Sequence, residues 1–141
     1  AERDLSVWHS EMFMPRVTAG IIKPSDIVGY RSHQVYIRNS MHIPLNPGAL
    51  RDAMTTLFEL LKEEPEACVR AVLGHFLFTY IHPFMDGNGR IGRFLMNAML
   101  ASGGYDWLII PVERRDEYMA ALEKASVEGN IVPFVRFLSS I

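Results

Sequence analysis

At 141 residues the chain has the length of a single domain with room for a hydrophobic core. Hydrophobic residues make up 49% of it and charged residues 21%, which sets aside a disordered chain, and no apolar run approaches the length of a membrane span. The net charge of −2, from 14 Lys and Arg against 16 Asp and Glu, argues against non-specific wrapping of nucleic acid, which needs a basic surface. No signal peptide opens the chain and no membrane association is expected. The lone Cys68 permits no internal disulfide and reads as an inert core or boundary residue, so a reducing, cytoplasmic setting is expected. The first residue is Ala rather than Met, as in a processed product or an excised piece.

In chain order, Leu5, Trp8 and Phe13 predict one side of a short helix punctuated by Pro15 and Gly20, with Trp8, Met12 and Met14 read as core. Residues 21–29, carrying Pro24 and Gly29, read as a connecting loop. Val35, Tyr36 and Ile37 are a β-prone run, Arg38-Asn39-Ser40 a turn and Met41-His42-Ile43 a return, ended by Pro44 and Pro47. This predicts a short hairpin, either a surface flap or an edge that takes a peptide. Leu50, Ala53, Met54, Leu57, Leu60 and Leu61 recur at helical spacing and predict a helix over 48–64. Pro65 and two acidic residues before it open the next, over 65–81, which is apolar nearly all round and belongs in the middle of a bundle. That helix must stop at His82, since the residue before a proline disfavours helical backbone. A third helix is predicted over 89–102 with Ile91, Phe94, Leu95, Ala98 and Met99 buried, closed by Gly103-Gly104. Residues 105–111 read as an extended packed link. A fourth helix over 113–127 turns Tyr118, Met119, Ala121 and Leu122 inward, and a short last one begins near Pro133. The fold expected is all-α, a helical bundle with one projecting hairpin.

Residues 82–93, His-Pro-Phe-Met-Asp-Gly-Asn-Gly-Arg-Ile-Gly-Arg, concentrate the chemistry. N–H groups that open a helix lack intrahelical partners, and Gly87 and Gly89 let the turn aim them at an anion. Arg90 and Arg93 share one face of the first turns, where cations oppose the helix dipole. An oligophosphate would satisfy both features, and so would a carboxylate network within the protein. Asp86 is a hard-oxygen ligand suited to Mg²⁺ beside phosphates, or a cap for the third helix. His82 has the pKa to take a proton from a hydroxyl near neutrality. His75, two turns earlier, reads as structural. The pattern points to attack by a hydroxyl on a bound nucleotide phosphate. No Walker loop, kinase signature set or strand-borne dinucleotide fingerprint occurs.

The stretch from His82 to Arg93 resembles the signature of the Fic family (filamentation induced by cAMP), His-Pro-Phe-x-Asp/Glu-Gly-Asn-Gly-Arg-x-x-Arg, and matches every specified position. The resemblance extends over roughly residues 30–140, which implies an N-terminal helical and connecting segment over 1–29 and a catalytic core over 30–141. It implies a protein adenylyltransferase that transfers AMP from ATP to a Ser, Thr or Tyr hydroxyl of a target protein and releases pyrophosphate. His82 would then be the general base and Phe84 the anchor of the loop. Asp86 would hold Mg²⁺, and Gly87, Asn88 and Gly89 would form the anion hole, with Asn88 also orienting the α-phosphate. Arg90 and Arg93 would bind the β- and γ-phosphates, and Asn97 and Tyr118 are candidates for the adenine pocket. The hairpin would be the flap on which Val35, Tyr36 and Ile37 receive an extended target segment.

Gly89 stands where the phosphate-transferring Doc-like branch carries a lysine, which favours AMP transfer. An inhibitory helix or a small antitoxin-like partner is a further implication of the family. Glu128-Gly129 resembles the inhibitory motif only superficially, because Lys124 stands where that motif has Ser or Thr. Another nucleotide or phosphate donor, removal of AMP, or a non-catalytic ATP-switched module remain the alternative functions.

Overall fold

The apolar stripes of the sequence fold as helices. A computed structural model describes residues 2–141, and Ala1, where the N-terminal segment begins, lies outside them. Among the described residues there are six α-helices and no β-strand: α1 (Glu2–Thr18), α2 (Leu50–Glu63), α3 (Ala67–Ile81), α4 (Asn88–Ser102), α5 (Arg115–Glu128) and α6 (Val132–Ser139). Short 3₁₀ turns precede α2 and α5. Among the described residues no helix is long and apolar enough to cross a membrane.

Helices α3 and α4 form the central pair, as the nearly all-round apolarity of α3 predicts. On one side Leu5 of α1 and Leu50, Met54, Leu57 and Leu61 of α2 join Phe78, Ile81, Ile91 and Leu95 in a first core. On the other, Tyr118, Ala121, Phe134, Phe137 and Leu138 close over Ala71 and Met96 in a second. The close approach of α3 and α4 depends on Gly92: a Cβ there would lie 2.9 Å from His75 Nδ1 and 3.2 Å from Thr79 Cγ2. His75 cannot yield, because it is fully buried and its Nε2 lies 2.6 Å from the Tyr118 hydroxyl. Its structural reading therefore holds, and burial pushes its imidazole down to about 4.

Several expectations are corrected. Helix α1 is longer than the short helix predicted and runs through Pro15; Trp8 and Met12 pack on the first core, whereas Met14 is exposed. Leu60 and Phe94 are about half exposed rather than buried, Phe94 lying edge-on to Trp107 at 5.8 Å and beside Trp8 at 6.3 Å. Cys68 is exposed and not a core residue. The 105–111 link is extended as predicted, with Leu108 and Ile110 against the second core and Trp107 and Ile109 outward.

The hairpin is the largest correction. Residues 32–46 run out, turn at Ile37–Ser40 with Asn39 at φ 61°, and return, but no ladder joins the arms. Side chains hold them instead. Gln34 Nε2 donates to the carbonyls of Val35 and Pro44, at 3.2 and 2.9 Å. The tip is fastened to the bundle by Glu123 of α5, which accepts from Ser40 Oγ at 2.6 Å and from Met41 N at 2.7 Å. His42 Nε2 donates to the Tyr80 carbonyl at 2.8 Å, with its ring stacked on Tyr80. A return arm that has Pro44 without a donor, and Met41 committed to a carboxylate, has little left with which to pair.

Gly92→Ala should destabilise the fold: overpacking costs about 1–3 kcal/mol, more than the ~1 kcal/mol an alanine adds to a helix. A lower urea midpoint checks this, and an unchanged one would refute the contact. His75 predicts acid sensitivity. Its folded pKa lies below the ordinary 6.5, so the unfolded chain takes the proton first. Stability is then full above about pH 6.5 and falls by roughly 3 kcal/mol as pH drops toward 4. In His75→Gln, denaturant midpoints at neutral and acid pH should differ by correspondingly less.

Candidate active site

The turn between α3 and α4 assembles around an unusual backbone. His82 ends α3 in the left-handed region, at φ 55° and ψ 60°, and its N–H donates to the Phe78 carbonyl at 2.9 Å. A non-glycine residue there carries strain of about 1–2 kcal/mol, and such strain collects at functional sites. His82 Nδ1 lies 3.1 Å from the Thr79 carbonyl, an atom that can only accept, so Nδ1 carries the proton. Nε2 is thereby left with its lone pair. Burial lowers the His82 pKa, with Arg31 and His42 adding to the effect, while the Thr79 bond and Asp86 oppose it. The net effect favours the neutral imidazole.

After Pro83, buried Phe84 seats the loop among Phe78, Tyr30 and His9, the last stacked on it at 3.9 Å. Asn88 closes the loop on itself: its Oδ1 accepts from Phe84 N at 2.9 Å and its Nδ2 donates to Phe84 O at 2.7 Å. Gly87 caps α4 at φ 83° with Met12 and Phe13 so close that a Cβ would lie 2.5 Å from the Phe13 ring. No side chain caps α4, so the N–H groups of Asn88, Gly89 and Arg90 face outward without helical partners. Such an end can hold an anion.

A cleft of about 420 Å³ lies over this turn. Its floor is Thr79, His82, Gly89 and Arg93, its roof is Ile37 to Ser40 with His42, and its far wall is α5 through Tyr118, Met119, Leu122 and Glu123. The predicted residues His82, Gly89, Arg93, Tyr118 and Ile37 thus share one cavity. Among the described residues no carboxylate lies within ion-pair distance of Arg93, so the carboxylate-network alternative does not apply to it. Tyr118 is buried with its hydroxyl at His75, and burial raises its pKa.

Other predicted residues sit elsewhere. Val35 is half-buried in the outgoing arm and Tyr36 is 76% exposed. Neither their N–H groups nor that of Ile37 has a hydrogen bond among the described residues. Arg90 is exposed with its guanidinium 5.2 Å from the Phe13 ring centre. Asp86 is exposed too; its Oδ1 accepts from Gly87 N at 2.7 Å and its Oδ2 lies 3.6 Å from Arg16. The Asn88 side chain is taken up by Phe84 and the Gly87 N–H by Asp86, so of these two only the Asn88 N–H is open at the start of α4, a correction for Gly87. Asn97 is buried away from the cleft, its amide paired with both backbone groups of Leu108, at 2.7 and 3.1 Å. The structure gives it the task of fastening the 105–111 link.

The model of the Fic/DOC family matches residues 2–100. The chain belongs to that family. A protein adenylyltransferase Fic of Drosophila melanogaster is 39% identical over 128 residues, which cover 88% of this chain and 25% of the fly protein. That of Drosophila willistoni is 38% identical over the same length. The chain thus spans about a quarter of the length of the curated relatives it matches. Among solved structures, Fic-1 of C. elegans superposes with a TM-score of 0.80 at 29% identity, over 97% of this chain and 39% of the other. A Fic domain-containing signalling protein of Bacteroides thetaiotaomicron does so at 0.71 and 30%, over 79% and 49%.

Within this Fic core, three residues at the site escaped the sequence reading. His9 is buried, and its Nε2 donates to the Asp86 carbonyl at 3.0 Å. It lies between Leu5 and Phe13 at spacings of four, a signal that was available. Glu123 and Arg31 carry no periodic or motif signal, since most of their partners lie far along the chain.

Asn88→Ala should leave both backbone groups of Phe84 unpaired in a buried site, at about 1–3 kcal/mol. The check is a lower unfolding midpoint together with faster hydrogen exchange at the Phe84 amide.

Proposed function

We propose that this chain is the catalytic core of a protein adenylyltransferase, moving AMP from ATP to a Ser, Thr or Tyr hydroxyl of a target protein. One observation carries the reading: the lone pair of His82 Nε2, fixed by the Nδ1 bond to Thr79, shares a cleft with the uncapped end of α4 and with Arg93. Base and anion site are within one cavity, as phosphoryl-group chemistry requires. The names of the relatives support the same activity.

In this reading the N–H groups at Asn88, Gly89 and Arg90 hold phosphate oxygens, and Arg93 neutralises charge on the leaving pyrophosphate. The base moiety lies along the apolar wall of Met119, Leu122 and Ile37, with Tyr118 beneath. His82 Nε2 takes the hydroxyl proton as the oxygen attacks the α-phosphorus; the bond to pyrophosphate breaks on the opposite side. A target segment lies along Val35, Tyr36 and Ile37, whose N–H groups are available for pairing. Side-chain fastening of the flap supports this, because it leaves those donors open. Arg90, exposed on the first turn of α4 with its guanidinium over Phe13, would meet distal phosphate oxygens beyond the cleft lining.

Asp86 fits Mg²⁺. It presents a single exposed carboxylate, and no cluster of three or more metal-ligating side chains occurs among the described residues. That donor set suits a Mg²⁺ ion coordinated mainly by phosphates and water, which would supply neutralisation of developing phosphate charge. A cytoplasmic setting and control by an inhibitory helix or small partner protein complete the reading.

Label transfer tests it. ATP labelled on the α-phosphate should label a protein band in host extract, whereas γ-labelled ATP should not. His82→Ala should lower the rate by about 10²–10⁴-fold while leaving nucleotide binding intact. Equal labelling from the γ-position, or transfer that survives His82→Ala, would overturn the proposal.

A further inference from the structure

Arg31 is the most deeply buried charged side chain named among the described residues, with 4% of its surface exposed and no carboxylate within ion-pair distance. A buried charge without a counter-ion is costly unless its donors are satisfied. Here each of the three guanidinium nitrogens donates to carbonyl oxygens alone. Nε donates to the His82 carbonyl at 2.7 Å, and Nη1 to that of His33 at 3.0 Å. Nη2 donates to the Leu45 carbonyl, and to the Ile81 carbonyl at 3.4 Å. The main-chain N–H of Arg31 adds a bond to the Pro83 carbonyl at 2.8 Å.

Those partners are not scattered. His33 and Leu45 are the roots of the two flap arms, and Ile81, His82 and Pro83 are the end of α3 and the start of the catalytic turn. One planar guanidinium therefore joins three stretches of chain that sequence separates. It also sits at the C-terminal end of α3, where a cation offsets the partial negative charge of unpaired carbonyls. The left-handed conformation of His82 turns its carbonyl away from the helical path, and Arg31 Nε meets it there.

We propose that Arg31 is the positioning residue of this site, holding His82 in its strained conformation and fixing the flap roots to the same point. The inference rests on His82 as the base, and goes beyond it by naming what aims that base. Without the guanidinium, the His82 carbonyl loses its partner and the left-handed turn loses its restraint. The imidazole is then free to leave Thr79, and Nε2 no longer keeps its lone pair toward the cleft. Lysine cannot substitute, because an ammonium on a flexible stem does not span carbonyls in a planar fork.

The test compares wild type with Arg31→Lys and Arg31→Ala, each first shown to be folded by its thermal melt. Ring ¹⁵N spectra report the His82 tautomer, its signals identified by their loss in His82→Gln. In wild type His82 should be protonated at Nδ1 across neutral pH. In both Arg31 variants the proton should distribute over the two nitrogens. AMP transfer should fall about a hundredfold in kcat, as for a misplaced catalytic group, with ATP affinity unchanged and KM for the target raised.

Charge and geometry are separated by the pair. Arg31, His42 and Asp86 act on the His82 pKa, the Thr79 carbonyl binds its ring and Arg93 lines the same cleft. Removing the positive charge should raise the pH of half-protonation in Arg31→Ala. Arg31→Lys should hold it closer to wild type and still lose the tautomer, and Lys serves as the deciding variant if Ala fails to fold. A folded Arg31 variant with the wild-type tautomer and rate would overturn the proposal. A lost tautomer in the variants, alongside a wild type that transfers no AMP, would uphold the positioning role and retire the adenylyltransferase reading instead.

Discussion

The approach of α3 to α4 at Gly92 sets the geometry on which everything else in this bundle depends. With no Cβ at that crossing, His75 lies against the α4 backbone and reaches the Tyr118 hydroxyl beyond it. One buried imidazole thus ties α3, α4 and α5, and α5 is the far wall of the cleft. Spread the central pair by a methyl group and both the wall and the turn that joins the pair must move. Buried polar contacts of this kind specify one arrangement more than they add stability, since a misfit leaves unpaired groups in a dry interior.

The turn itself is a set of compensations for one strained residue. His82 in the left-handed region is disfavoured, and Pro83 beside it restricts the choice further. Around it, Asn88 mimics a backbone pairing with Phe84, His9 supports the Asp86 carbonyl, and Arg31 receives the carbonyls of Ile81 and His82. Each of these groups uses a side chain to satisfy backbone atoms that the sharp turn orphans. What the turn does not satisfy is the N-terminus of α4. A helix end left without a side-chain cap, beside a turn whose carbonyls at 81–84 and 86 are paired, is what the proposed anion site requires.

How much of this was legible in the sequence follows from what each feature depends on. The helices were, to within a residue or two from α2 onward, because stripes at three and four report burial directly. So was the grouping of His82, Gly89 and Arg93, since a turn of a few residues leaves them nowhere else to go. Burial of Phe94 was not: its period is right, but α4 is already covered by α1 and α3, and the ring ends up against Trp107 at the surface. The hairpin failed for a related reason. β-propensity and a turn foretold the path of residues 30–43, yet strand pairing needs free donors on both arms, and Pro44 and Glu123 deplete them on the return arm. Asn97 and Asn88 misled in the same way, as polar residues near a site whose amides serve the backbone. Arg31 and Glu123 could not have been found, because nothing local in their sequence reveals partners dozens of residues away.

The missing ladder has a consequence for how such a site admits a large substrate. A flap with its arms paired would present satisfied backbone on the inner strand and one edge outside. Here Gln34, Arg31, His42 and Glu123 hold the shape through side chains and spend carbonyls and the tip rather than the N–H groups of Val35, Tyr36 and Ile37. Those donors face no partner among the described residues, so in the proposed reading an incoming extended chain would gain hydrogen bonds without breaking any. Rigidity comes from the bundle and openness from the flap backbone. Arg31 is where the two meet, bonded to the flap roots and to the turn that carries His82. On the proposed positioning role, a displacement of the flap would be transmitted to the carbonyl of His82 through a single planar group, which would hold the docking edge and the base in fixed register.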